Sequence, residues 1–291
     1  MSEGNPAMGA CFRRFQGLSG GRPARALALC LMLAACGGNS EPDLESQSAK
    51  AIFDQAEFQL EARDNPEEAA SLFAEVERLY PYSEWAKRAV IMEAFAYQQA
   101  RKFPESRAAA RRYIDFYPAD EDAAYAQYLI ALSYYDQIEL VGRDQELTFN
   151  ALQELRTVFE RYPGSDYAAT ARLKFDLAFD RLAAKEMEVG RYYLKRGNHT
   201  AAINRFRNVV EDFKTSTQTP EALYRLIEAN LALGLDAEAQ TAGAILGFNY
   251  RGSEWYEDGF ALLQGAELEP GALGTGWLRD IYRQMIQGKW L

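Results

Sequence analysis

Two stretches of the chain carry an unbroken helical pattern. Between Ser165 and Arg196 apolar residues fall at Leu173, Leu177, Leu182, Val189 and Tyr193, with no proline and with Gly190 as the one glycine. The spacing and length predict a single helix of about 45 Å. Beyond Gly265, Leu278, Ile281, Tyr282, Met285 and Ile286 recur at i, i+3, i+4, i+7 and i+8, which is one apolar helical face. That face either covers the end of the folded core or meets a partner or a membrane.

Elsewhere the pattern is interrupted at intervals by a recurring joint. It reads "RLYPYSEWAKRA" at Arg78–Ala89, "RYPGSDYAATA" at Arg161–Ala171 and "NYRGSEWYEDG" at Asn249–Gly259. Proline has no N–H to continue a helix and pushes the preceding residue toward extended geometry, so each Tyr-Pro stops a helix. Ser83, Ser165 and Ser253 stand where the next helix needs an N-cap. Trp85, Tyr167 and Trp255 follow just inside it, where a large ring can wedge between neighbours. The stops are Tyr80-Pro81, Tyr117-Pro118, Tyr162-Pro163 and the degenerate Phe213-Lys214 and Tyr250-Arg251, in steps of 37, 45, 51 and 37 residues. Between stops, "RDNPEEA" offers Asn65 as a cap, Pro66 at the first helical position and Glu68 to complete a capping box. Gly197-Asn198 and Gly234-Leu235-Asp236 place a glycine where one helix ends and a capping residue where the next begins.

A step of 37 residues is close to the tetratricopeptide repeat (TPR), about 34 residues of helix–turn–helix. The internal register agrees: Ala94, Tyr97 and Ser106 before Pro118 occupy that repeat's small, aromatic and small positions, and Gly190, Tyr193, Ala202 and Phe206 follow suit before Phe213. The expected fold is all-α, a right-handed α-solenoid of five tetratricopeptide-like helical hairpins. An eight-residue insertion within Asp136–Leu152, with Gly142-Arg143-Asp144 as a turn, interrupts it. The expected division is a leader at 1–35, a linker at 36–48, repeats one to three at 49–164, the long strut helix with repeats four and five at 165–264, and the amphipathic tail at 265–291.

Composition supports helices: the chain is 48% hydrophobic and 25% charged, rich in Ala, Glu, Leu and Arg and poor in β-branched residues. The leader changes the picture more. Arg13, Arg14, Arg22 and Arg25 precede the short apolar run "ALALCLMLAA" at Ala26–Ala35, a secretory pattern too short to span a bilayer. "LAAC" at Leu33–Cys36 resembles a bacterial lipobox, which implies that Cys36 is lipidated and becomes the new N-terminus. Gly37 behind it, in place of aspartate, implies the outer membrane. Met8 is an alternative start. Cys11 and Cys30 leave with the leader, so no disulfide is expected and stability must come from packing. Net charge is −10, and losing a basic leader makes the mature chain more acidic. Nucleic acid and anionic lipid headgroups are therefore excluded as electrostatic partners, and attachment to the membrane rests on acyl chains.

Catalytic chemistry finds little to work with. His199 is the single histidine and sits at a turn, read as solvated. With one histidine and no free mature cysteine, His-based triads, Cys–His pairs and the usual zinc sites cannot be assembled. No glycine-rich phosphate loop is present. A carboxylate pair of glycosidase type survives counting, but the repeats consume every segment and leave no catalytic domain. No catalytic residue, metal or cofactor is expected.

The lipobox, five repeats, the "YP.S.[WY]A" joints, the insertion ending in "GRDQ" and "DRLAAKEMEVGRYYLKRGNHTAAINRFRNVV" together resemble the BamD (ComL) family of outer membrane protein assembly factors, over about residues 40 to 264. The resemblance implies a lipid-anchored, non-catalytic subunit of the β-barrel assembly (BAM) machinery on the periplasmic face of the outer membrane. Its C-terminal repeats would dock the membrane-proximal POTRA domain of BamA. Its N-terminal repeats would receive unfolded outer membrane β-barrel proteins, and other BAM subunits would join it. The family arginine that pairs with an acid on BamA matches Arg205 in "INRF". The Arg196-Gly197 turn matches as well, and Tyr80 matches a position near the substrate pocket. The tail after Gly265 is longer and the insertion shorter than in the better-known members. The alternative is a periplasmic TPR lipoprotein serving cell-wall metabolism, as adaptor or lytic enzyme.

Overall fold

The computed structural model describes residues 43–138 and 145–287. The leader, Cys36 and the Gly142-Arg143-Asp144 turn lie outside the described residues. The chain forms two units, Met1–Gln47 and Ser48–Leu291. The described part of the first is one 3-10 turn at Leu44–Ser46, where the Asp43 carboxylate accepts from the Glu45 N–H.

The described part of the second unit is built from twelve helices and contains no strand. They are α1 (Ala49–Glu61), α2 (Pro66–Leu79), α3 (Glu84–Gln99), α4 (Phe103–Phe116), α5 (Ala123–Tyr135), α6 (Glu146–Arg161), α7 (Asp166–Lys195), α8 (His199–Asp212), α9 (Thr219–Ala232), α10 (Asp236–Asn249), α11 (Glu254–Gly265) and α12 (Trp277–Gln287). From α1 to α11 each helix packs on its chain neighbours, and α1 touches α3, α3 touches α5, α5 touches α7 and α9 touches α11. The proline-free stretch is one 30-residue helix, α7.

The Tyr-Pro joint is a backbone device more than a proline device. Tyr80 (φ −133°, ψ 55°), Tyr117 (−130°, 55°), Tyr162 (−125°, 54°), Phe213 (−120°, 41°) and Tyr250 (−133°, 35°) cap α2, α4, α6, α8 and α10 in nearly one conformation. Each aromatic carbonyl then accepts from the N–H three residues on, at 2.9–3.2 Å. Lys214 and Arg251 keep this geometry where proline is missing, so the reverse turn at the carbonyl holds the joint. At Ser83, Ser165 and Ser253 the hydroxyl also donates to that carbonyl, at 2.8, 2.9 and 2.8 Å. Only Ser83 additionally accepts from the next helix, from the Ala86 N–H at 3.1 Å. Ser165 and Ser253 hold the N-cap position without a side-chain cap bond.

The rings behind the serines join alternate helices. Trp85 on α3 meets Phe53 on α1 at 5.1 Å between centroids, Tyr167 on α7 meets Tyr125 and Tyr128 on α5 at 5.0 and 5.3 Å, and Trp255 on α11 meets Tyr224 on α9 at 5.4 Å. Inside the helix pairs small residues permit close approach. Buried Ser106 donates to the Ala94 carbonyl across α4 and α3 at 2.8 Å. Gly190 lies so near the Phe206 ring that a Cβ would sit 2.4 Å from it. Asn65 caps α2 by accepting from the Glu68 N–H at 3.4 Å. Gly197 and Gly234 take positive φ, 71° and 70°, and Asp64 and Arg101 hold the corresponding turns at 52° and 58°.

The tail folds back onto α10. Gln240 and Thr241 receive it: the Gly271 N–H donates to the Gln240 carbonyl at 3.1 Å, and the Gly274 N–H to Thr241 Oγ1 at 2.7 Å. Leu278 and Ile281 of α12 are buried in the cluster that contains Phe206, Leu226 and Ile245. Of the two uses open to this apolar face, Leu278 and Ile281 spend it on covering the core.

Candidate functional site

Arg205 projects from the middle of α8 with 41% of its side chain exposed, and it already has a carboxylate neighbour. Its Nη1 lies 3.4 and 3.3 Å from the two oxygens of Glu186 on α7. The bond is long and uses one nitrogen, unlike the two-nitrogen fork that makes guanidinium–carboxylate pairs strong. Glu186 is held better by Asn208, whose Nδ2 donates at 2.9 Å. Arg196, the C-cap of α7, is exposed and stacks over the Tyr192 ring at 4.5 Å. The two arginines are thus engaged by different neighbours.

Tyr80 is half-buried at the end of α2. Its chain neighbours Pro81 and Tyr82 line a groove of about 850 Å³ between α2, α3 and α4, and Tyr80 itself is outside that lining. Tyr82, at 102% relative exposure, and Phe116, at 63%, form an unusually bare aromatic rim. On the floor, a single nitrogen of Arg112 carries two acids, Glu93 at 2.6 Å and Glu77 at 2.9 Å. Nε of Arg112 is buried with no partner. Only 7% of the Glu93 side chain is exposed. Burial pushes its carboxyl up to about 7, because one shared guanidinium does not repay the lost hydration and Glu77 repels it. Neighbouring Arg78 is tied to Glu75 at 2.7 Å.

A second groove, about 670 Å³, occupies the equivalent place between α6, α7 and α8. Phe149, Leu182 and Phe213 supply its apolar walls, and Glu186 and Asn208 its polar floor. In each groove an acid on the longer helix takes an arginine of the following helix 19 residues later, Glu93–Arg112 and Glu186–Arg205; Arg112 lines its groove, whereas Arg205 lies outside the lining of the second. Arg205, Arg196 and Tyr80 stand out in the sequence, whereas Glu93, Arg112 and Tyr82 do not. The signal was available in part: a tyrosine directly after Tyr-Pro stands outside the joint's own bonding. His199 also differs from expectation, being half-buried with Nδ1 enclosed and without a partner. Among the described residues no group of three or more His, Cys, Asp or Glu could hold a metal, and no helix is long and apolar enough to cross a membrane.

The described residues thus form an all-helical protein with two apolar grooves lined in part by charged side chains. The family model described as YfiO, outer membrane lipoprotein, matches residues 45–245, and the chain belongs to that family. A Caulobacter vibrioides protein named outer membrane protein assembly factor BamD is 44% identical over 91% of this chain and 90% of its own length. Proteins with the same name from Rickettsia prowazekii and Neisseria meningitidis are 40% and 27% identical, over 67% and 77% of this chain and 78% and 89% of their own lengths.

Proposed function

We propose that this chain is an outer membrane protein assembly factor, a non-catalytic scaffold that docks BamA and receives unfolded barrel proteins. The 44% identity to a relative of that name across nine-tenths of both chains supports the reading most directly. In this reading the helix pairs are five tetratricopeptide-like hairpins of a right-handed solenoid. Residues 49–164 form the substrate half, 165–264 the docking half and 265–291 the terminal cap. Cys36 carries the acyl anchor that holds the chain to the periplasmic face of the outer membrane, where other BAM subunits join it.

Docking uses Arg205, with Arg196 nearby in sequence. A half-exposed guanidinium whose internal bond is long and one-sided keeps nitrogens for an acid on the POTRA domain. Substrate enters at the groove beside Tyr80. Its bare aromatic rim and its volume suit side chains of an extended segment. The test is calorimetry of the full lipidated chain in detergent against the POTRA region of BamA from the same organism. Binding that is lost in Arg205→Gln establishes the reading. Absence of binding by a well-folded chain overturns it, and depletion that spares barrel proteins while disturbing the cell wall would favour the adaptor alternative.

A further inference from the structure

The α2–α4 groove joins an aromatic rim to a floor whose charges do not balance. Arg78, on the same lining, pairs with Glu75 of its own helix at 2.7 Å. At the floor Glu77 and Glu93 share one nitrogen of Arg112, two carboxylates on one guanidinium. Glu93 is nearly sealed from water by protein, so bulk solvent screens it poorly. A further cation at the floor restores the balance, and a flanking ring or aliphatic chain covers Tyr82 and Phe116.

We propose that this groove contains a cation subsite: it takes a lysine or arginine of an extended segment of unfolded barrel protein, next to an aromatic or apolar residue that lies on Tyr82 and Phe116. The inference rests on the substrate-groove reading and adds to it the side-chain chemistry selected. The charged groups acting on Glu93 are Arg112 from α4 and Glu77 from α2, with Tyr97 one turn further along α3. With the Glu93 carboxyl raised to about 7, the subsite carries its full charge only on the alkaline side and weakens in acid.

The experiment compares two fluorescent extended peptides, identical but for one lysine replaced by norleucine, which keeps the aliphatic stem and removes the charge. They are titrated into the full lipidated chain in detergent at pH 8 and pH 5.5. The lysine peptide binds about tenfold tighter at pH 8, and the advantage shrinks at pH 5.5. Glu93→Gln removes most of the advantage at pH 8. Because that variant could disturb Arg112, Glu77→Gln, on the better exposed acid, serves as the second variant and reduces the advantage with the fold intact by circular dichroism. Equal binding of the two peptides, unchanged by either variant, overturns the cation subsite and leaves the peptide groove standing. If neither peptide binds, or Tyr82→Ala leaves both affinities untouched, the groove is not the substrate site and the inference falls with it.

Discussion

Arg205 of α8 reaches Glu186 of α7 at 3.3 Å, 19 residues apart in the chain, and Arg112 of α4 reaches Glu93 of α3 at 2.6 Å over the same separation. The two pairs are the same device at different tension. Glu186 has Asn208 as a second donor and Arg205 is left loosely held, whereas Glu93 depends on an arginine that it shares with Glu77. On the proposed reading, the loose pair leaves Arg205 available to an acid of a partner, and the tight pair leaves Glu93 and Glu77 to share one guanidinium beside the proposed cation subsite.

Substitutions at Arg205 separate docking from folding. Arg205→Glu removes the bond to Glu186 and adds a like charge on the facing helix, so it lowers stability by about 1 kcal/mol as well as breaking the proposed docking contact. Arg205→Gln carries no charge, and Glu186 keeps its shorter bond from Asn208. The Gln variant should keep the parent's melting temperature and lose more than about 1 kcal/mol of POTRA binding by calorimetry. Parent affinity in Arg205→Gln would remove this residue from the interface.

Glu93 gives the fold a pH dependence of definite sign. Its folded carboxyl titrates near 7 instead of its ordinary 4.5, so the folded chain binds this proton more tightly than the unfolded chain does. The stability it contributes is complete below the unfolded value and lost as pH rises through about 7. Urea unfolding of parent and Glu93→Gln at pH 4.5 and pH 8 isolates the effect, since other carboxylates cancel in the difference. Relative to the variant, the parent loses about 3 kcal/mol between the two. A constant difference across that range would mean that Arg112 fully compensates Glu93.

What the sequence discloses divides by range. The joints are local events: an aromatic cap, a reverse turn at its carbonyl and a serine three residues on, all within four residues, so Tyr80, Tyr162 and Tyr250 announce them. The long helix α7 shows itself through the absence of proline. The charged floors are not local. Glu93 reads as one glutamate among many in an acidic chain, and its burial follows only from how α2, α3 and α4 pack. The helix "AAYAQYLIALSYY", α5, hides its faces for a related reason. It contacts α3, α4, α6 and α7, so apolar residues surround it and no stripe stands out. The serine caps show a limit of another kind, since all three hydroxyls serve the joint and only that of Ser83 also caps the next helix, a difference that the residue type does not specify.

The close approach of α7 and α8 can be tested at Gly190. A Cβ there would stand 2.4 Å from Phe206 Cε1 and 2.8 Å from Cδ1, and the Phe206 ring is completely buried. The ring has no space to withdraw into, so Gly190→Ala forces the helices apart and costs about 2 kcal/mol despite alanine's better helix propensity. Phe206→Leu in the same chain should recover part of the loss, which denaturant midpoints of the single and double variants will show. Independent, additive effects would mean that the ring is not the obstacle.

α12 is held by the last hydrophobic cluster and by one side-chain bond. Leu278 and Ile281 enter the cluster shared by α8, α9 and α10, and Lys214 on the α8–α9 connection donates to Gln284 at 3.1 Å. A Cβ at Gly274 would meet Thr241 Oγ1 at 2.7 Å and the Ala237 carbonyl at 3.1 Å, so the approach to α12 is as tightly fitted as the helix itself. Leu278→Ala should therefore destabilise the chain by about 3 kcal/mol, the usual scale for emptying a fully buried leucine site. Gly274→Val should lower stability through the clash at Thr241 without touching α12 at all. If α12 were instead held in reserve for a partner or a membrane, both variants would unfold at the parent's urea midpoint and differ from it only when that partner or lipid vesicles were added. Loss of stability in the isolated chain, equal with and without vesicles, identifies the helix as the lid of the last hydrophobic cluster.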